Sequence, residues 1–216
     1  MPSGFSFGGA DMGWLYMRSM GGHKTPKEYL DNQLTHQNDN STCKVLDSAV
    51  VGMRRYYAAV ERVERSMGER TVTCVVCLVN YNTRAKEGDI FGYKDMDETM
   101  GPCATDCPAR ILDLLTPTDV PNAVEWRAQC RARLAKTLPK PGQIVVLRTP
   151  MRFSDDTVQD RFRVVARTIR GRKKLLFTGS NGDYYLLRNL RDLDYTIESP
   201  LAGEAYPSGQ VHTFQS

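Results

Sequence analysis

The chain has 216 residues, of which 41% are hydrophobic and 25% charged, proportions that support a folded core and exclude an intrinsically disordered protein. A net charge of +4, from 29 Lys and Arg against 25 Asp and Glu, is too small to announce a nucleic-acid partner by itself, so local clusters must decide that point. No apolar run nears the ~20 residues that span a bilayer, and the start of the chain has neither the basic head nor the apolar middle of a leader. A cytoplasmic protein with no membrane partner is therefore expected, and its six cysteines are read as thiols rather than disulfides.

Residues 1–11, MPSGFSFGGAD, are rich in Gly and Ser and are expected to form a loose N-terminal extension. Met12 opens MGWLYMRSM, the first strand-like stretch. In TPKEYLDNQLTH, Thr25 is placed as N-cap, Pro26 at the first helical position and Glu28 three residues after the cap, which predicts a short helix. From Cys43 the pattern changes to CKVLDSAVVGM, YYAAVERVE and TVTCVVCLVNY, β-branched runs separated by turn residues, and IFGYK follows. An antiparallel meander is the simplest arrangement of these runs.

Pro108 marks a helix start before ARILDLL, and Asn122 with Glu125 forms a capping-box pattern ahead of VEWRAQCRARLAK. Trp126, Cys130 and Leu134, four apart, would make the buried stripe of this last helix. TLPKPG is the expected domain boundary. Beyond it QIVVLRTPMRF, RFRVVARTIRG, KLLFTGS and DYYLLRNL read as four short strands of a small, half-open SH3-like β-barrel. The expected fold is thus α+β: an antiparallel sheet with two or three helices over residues 12–136, then a barrel over 141–198 and a flexible tail over 199–216.

The strings MGW, VLDSAVVGMRRYYAAV, GYKDMDETMGP, CPARILDLLTPTD and the W-R-x-x-C-R of Trp126 to Arg131 resemble an uncharacterised family encoded on bacterial plasmids, integrative elements and phages. The resemblance runs over about residues 12–136. It implies a mobile-element setting and accessory roles such as maintenance, transfer or counter-defence, and it implies no activity. Because it starts at Met12, it also puts the assigned start of the chain in question.

Two stretches carry candidate chemistry. In KDMDET, an extended backbone puts Asp95 and Asp97 on one face with Glu98 beside them, and paired carboxylates can hold Mg²⁺ or divide acid and base roles. The competing reading, which the sequence favours, is a joint whose acids accept backbone hydrogen bonds. The Cys74-x2-Cys77 and Cys103-x3-Cys107 pairs invite zinc, but residues three apart on a strand face opposite ways, so no metal and no cofactor is expected. Cys107, just before a helix, has the placement of a reactive thiolate, although a buried thiol is the more ordinary reading. His23 follows two glycines, yet GGHKT lacks P-loop spacing.

The second stretch is ARTIRGRKK, where Arg167, Arg170, Arg172, Lys173 and Lys174 surround Gly171 with no acid between residues 161 and 182. Such a hairpin can grip a phosphate backbone, with Tyr184 and Tyr185 available to stack on bases and with Arg127, Arg131, Arg133 and Lys136 adding charge from the helix; the equal reading is a solvated turn and a solvated helix face. The functional expectation is a non-enzymatic accessory protein that binds nucleic acid or a host factor. The alternative is a carboxylate- or metal-dependent hydrolase or phosphoryl-transfer enzyme using Asp95, Asp97 and Glu98.

Overall fold

The computed structural model describes residues 13–52, 54–81, 90–101, 103–153, 156–169, 171–187, 190–199 and 211–213. The extension read over residues 1–11 lies outside these, as does most of the tail. Two compact units divide the chain, Met1–Leu134 and Ala135–Ser216.

In the first unit a short strand, β1 (Leu15–Met17), precedes helix α1 (Pro26–Leu34), whose start follows local rules. Thr25 caps it by accepting the Glu28 backbone N–H, Pro26 stands in the first turn, and the Glu28 carboxylate reaches back to the Lys24 N–H at 2.8 Å. Tyr29, Leu30 and Leu34 are its buried stripe. Five strands follow: β2 (His36–Gln37), β3 (Ser41–Val51), β4 (Arg55–Glu64), β5 (Arg70–Asn80) and β6 (Phe91–Asp97). They build one antiparallel sheet in the order β1-β6-β5-β4-β3-β2. Gly92 is needed where β1 crosses the sheet edge, since a Cβ there would come within 2.9 Å of the Tyr16 ring.

Both faces of this sheet are covered. Alternation along β4 and β5 sends Tyr56, Ala58, Val60, Val75, Cys77 and Val79 toward α1, and Tyr57, Ala59, Val72, Cys74 and Val76 toward helices α2 (Ala109–Leu112) and α3 (Pro121–Ala135). The adjacent Tyr56 and Tyr57 are both fully buried, so each hydroxyl needs a partner. Tyr56 donates to Asp31 of α1 at 2.7 Å, and Tyr57 donates to Asp106, which Arg55 also grips from its Nε at 2.8 Å.

The second unit carries β7 (Ile144–Arg152), β8 (Val158–Ile169), β9 (Arg172–Thr178), β10 (Tyr184–Leu186), a 3-10 turn at Leu190–Asp192, β11 (Tyr195–Glu198) and β12 (Val211–Thr213). The sheet order is β11-β7-β8-β9-β10-β12. Its core is Val145, Phe153, Phe162, Val164, Phe177 and Tyr185 with their neighbours. Within the segment read from sequence as a tail, Val211–Thr213 pair in parallel with β10.

The α+β expectation is corrected: the protein is mainly β, two sheets with three helices laid against the first. The ARILDLL helix ends after one turn, and α3 begins at Pro121, so Asn122 lies inside it and donates its side-chain N–H to Thr99 O at 2.8 Å instead of capping. The second unit is a half-barrel, in keeping with the half-open barrel expected: β11 and β12 end its sheet without pairing to each other among the described residues. No described helix is long and apolar enough to cross a membrane.

Candidate functional site

The three carboxylates of KDMDET do not form one site. Asp95 and Asp97 pair with Cys77 and Val75 across the β5–β6 ladder, which puts them on the α1 face. Glu98 follows the strand and turns to the α3 face, where it is 1% exposed. There its Oε1 accepts the Cys74 backbone N–H at 3.1 Å, and both oxygens accept from Arg127, through Nε and Nη2, at 2.6 Å each. Arg127 completes the knot by donating Nη1 to Thr116 O at 2.6 Å. Asp97 accepts the Thr99 backbone N–H at 2.7 Å and its hydroxyl as well, an Asx turn at the strand's end. Both oxygens of Glu98 and Oδ1 of Asp97 thus accept hydrogen bonds within the protein.

Asp95 differs. Burial, with a smaller push from the Asp97 charge, raises its pKa to about 6, against a weak contact from the Cys77 thiol at 3.8 Å. An Asp whose folded pKa lies above its unfolded value stabilises the fold fully only below about pH 4, and this contribution is lost as pH rises toward 6. Asp95→Asn is therefore expected to raise the melting midpoint at pH 7 relative to the parent by a few degrees, and the gap should close at pH 4. A constant gap across that range in paired thermal melts would show that Asp95 is not the titrating group.

Five of the six thiols are buried and Cys103 is half-buried. Cys74 and Cys77 belong to opposite faces of the sheet, while Cys107 and Cys130 join Cys74 beside Trp126. Burial pushes the Cys103 thiol up to about 11 and Cys130 to about 12, with the Asp97 and Glu98 charges adding to the first and Cys107 to the second. The reactive reading of Cys107 needs solvent access, and its residue is fully buried ahead of a four-residue helix. Among the described residues no group of three or more His, Cys, Asp or Glu is arranged to hold a metal ion. At the GGHKT turn, the Glu28 carboxylate sits at the α1 N-terminus, where a phosphate would have to go.

The basic cluster occupies the β8–β9 hairpin. Arg167 lies opposite Lys174 in the ladder, Thr168 opposite Lys173 and Ile169 opposite Arg172, and the chain turns at Gly171 with φ 73°. A Cβ on Gly171 would meet nothing within 4 Å. Arg170 lies outside the described residues, and only the backbone of Arg172 and Lys173 is described. Arg167 stacks on Tyr184, its guanidinium carbon 4.2 Å from the ring centroid and its Nη2 donating to the hydroxyl at 2.9 Å. This contact and burial in the core answer the expectation that Tyr184 and Tyr185 stack on bases. Tyr184 is 6% exposed and Tyr185 fully buried, accepting from the Asn181 side chain at 2.6 Å.

Of the cations read on the helix, Arg127, Arg131 and Lys136 have partners within their own units. Arg127 is committed to Glu98, Arg131 pairs with Asp113 at 3.1 Å, and Lys136 donates to the carbonyl oxygens of Leu193 and Arg191 and stands 5.0 Å over the Tyr195 ring. Sequence reasoning missed Arg127 as the partner of Glu98; its only signal was an arginine on a helix stripe next to a buried Trp.

Beyond the pairing of its strands, this hairpin outruns the sheet. β7 reaches β8 no further than Arg163, the Gly142–Gln143 backbone bonds extend that edge to Val164, and β10 reaches β9 no further than Phe177. Val165–Ile169 and Arg172–Leu176 pair as a two-stranded ribbon with no third strand among the described residues.

No match to this chain was found among curated proteins or solved structures. Residues 117–190, about a third of the chain, match a domain of unknown function (DUF6927), so that such a domain spans α3, the β8–β9 hairpin and β10, and it overlaps the resemblance over 12–136 only at its start.

Proposed function

We propose that this protein acts by binding and that the β8–β9 hairpin grips a polyanion, with nucleic acid as the partner class. The observation that carries this reading is Arg167 directly opposite Lys174. Like charges facing each other across a ladder repel, a cost that a phosphate lying between them removes. Stacking on Tyr184 holds the Arg167 guanidinium ready, and Lys174 is exposed with no carboxylate partner among the described residues. The resemblance over residues 12–136 supplies the setting, an accessory role in a mobile element. The hydrolase alternative needs Asp95, Asp97 and Glu98 on one surface, and the sheet holds them on two.

Retention on heparin and anisotropy with labelled nucleic acid test this reading. If four or five phosphates are neutralised, affinity should fall about 10²- to 10³-fold between 50 and 200 mM salt. The pair Arg167→Glu and Lys174→Glu should cut affinity at least about tenfold and flatten the salt slope by about 2, with circular dichroism unchanged. A parent that binds neither heparin nor nucleic acid at low salt would defeat the reading, as would a charge-reversed protein that binds equally well.

A further inference from the structure

The shape of the same hairpin says which nucleic acid. We infer that the paired strands Val165–Ile169 and Arg172–Leu176 form a β-ribbon that enters the major groove of duplex DNA, an inference that rests on the polyanion reading above.

Three observations carry it. First, the described side chains beyond the root are exposed on both faces: Ala166, Thr168 and Leu175 on one side, and on the other Lys174 and Arg167, the latter lying over Tyr184. Burial of Ala166, Thr168, Lys174 or Leu175 does not explain this extension. Second, the dimensions fit. Five paired positions from Val165↔Leu176 to Ile169↔Arg172 reach about 17 Å at roughly 3.3 Å per residue. Two strands with side chains are narrow enough for a groove about 12 Å wide and about 8.5 Å deep.

Third, the composition selects against the other nucleic acids. Single strands are held by aromatic platforms, and residues 163–176 contain no aromatic residue. The nearest rings, Phe162, Phe177, Tyr184 and Tyr185, are buried. Duplex RNA has a major groove too deep and narrow for side chains to read. In B-DNA the exposed Arg167 and Lys174 would meet phosphates at the groove wall. The exposed Leu175 and the Thr168 methyl offer apolar contacts of the kind made with thymine.

The test uses the full chain and four labelled probes of equal length: duplex DNA, single-stranded DNA, duplex RNA, and duplex DNA whose cytosines carry bulky glucosylated 5-hydroxymethyl groups that fill the major groove. Duplex DNA should bind at least about tenfold tighter than the single strand or the RNA duplex, and glucosylation should remove that advantage, whereas a minor-groove ligand should not compete. Equal or tighter binding of the single strand or RNA duplex, or indifference to glucosylation, would overturn the groove assignment and leave the polyanion reading standing. Failure to bind all four probes and heparin would overturn both.

Discussion

Arg127→Ala is expected to destabilise the first unit by about 3–5 kcal/mol, because it leaves the Glu98 carboxylate charged, buried and without its cation. Glu98 is 1% and Arg127 14% exposed, and their two parallel hydrogen bonds at 2.6 Å are the fork geometry in which arginine binds a carboxylate most strongly. The same guanidinium also binds Thr116 O, so its loss unties Thr116 from α3 and leaves that residue held by its bonds to Val72 of the sheet. In a thermal melt the midpoint should fall by about 10–20 °C for a unit of this size. Arg127→Lys should recover only part of this, since an ammonium cannot make the fork. The double variant Glu98→Gln with Arg127→Met buries no lone charge and should lie well above the single one. If Arg127→Ala melts within about 3 °C of the parent, Glu98 is not the buried anchor described here.

Trp126→Ala should cost about as much, roughly 3–5 kcal/mol, by the separate route of an apolar cavity. The ring is 3% exposed, lies with its centroid 6.4 Å from that of Tyr57, and packs among Cys107, Ile111, Leu112 and Cys130. Its Nε1–H donates to Ala104 O at 2.9 Å. Trp126→Phe keeps most of the volume and loses that hydrogen bond, so it should cost only about 1–2 kcal/mol. Chemical denaturation of the three proteins separates the cases. Equal losses for Ala and Phe would mean that the indole hydrogen bond, rather than packing, holds this ring in place.

Both expectations concern the segment between β6 and α3, in which carboxylates, thiols and prolines are dense. Every charged group there whose partner is described is spent on holding the chain: Glu98 on Arg127, Asp97 on Thr99, Asp106 on Arg55 and Tyr57. Its chemistry is that of a joint fastening two helices to one face of a sheet. On the β8–β9 ribbon, by contrast, Lys174 is exposed with no carboxylate partner among the described residues.

What the sequence by itself determined is what near neighbours decide. The start of α1 follows from Thr25, Pro26 and Glu28, three residues apart at most, and the β3–β6 meander follows from runs of β-branched residues and their turns. The Trp126 and Cys130 stripe follows from the helical repeat. What the tertiary structure alone decided depends on distant partners. Asn122 has the residue type of a cap, but Thr99 O claims its side chain. KDMDET has the spacing of a carboxylate site, but an arginine 29 positions on claims Glu98. Tyr184 and Tyr185 have the chemistry of a stacking platform, but strand register turns one under Arg167 and the other into the core. Protrusion of the ribbon is set by where β7 and β10 stop, and closure of the sheet by whether β11 meets β12. These are long-range pairings, fixed by register and burial over the whole unit, and no local pattern of residues encodes them.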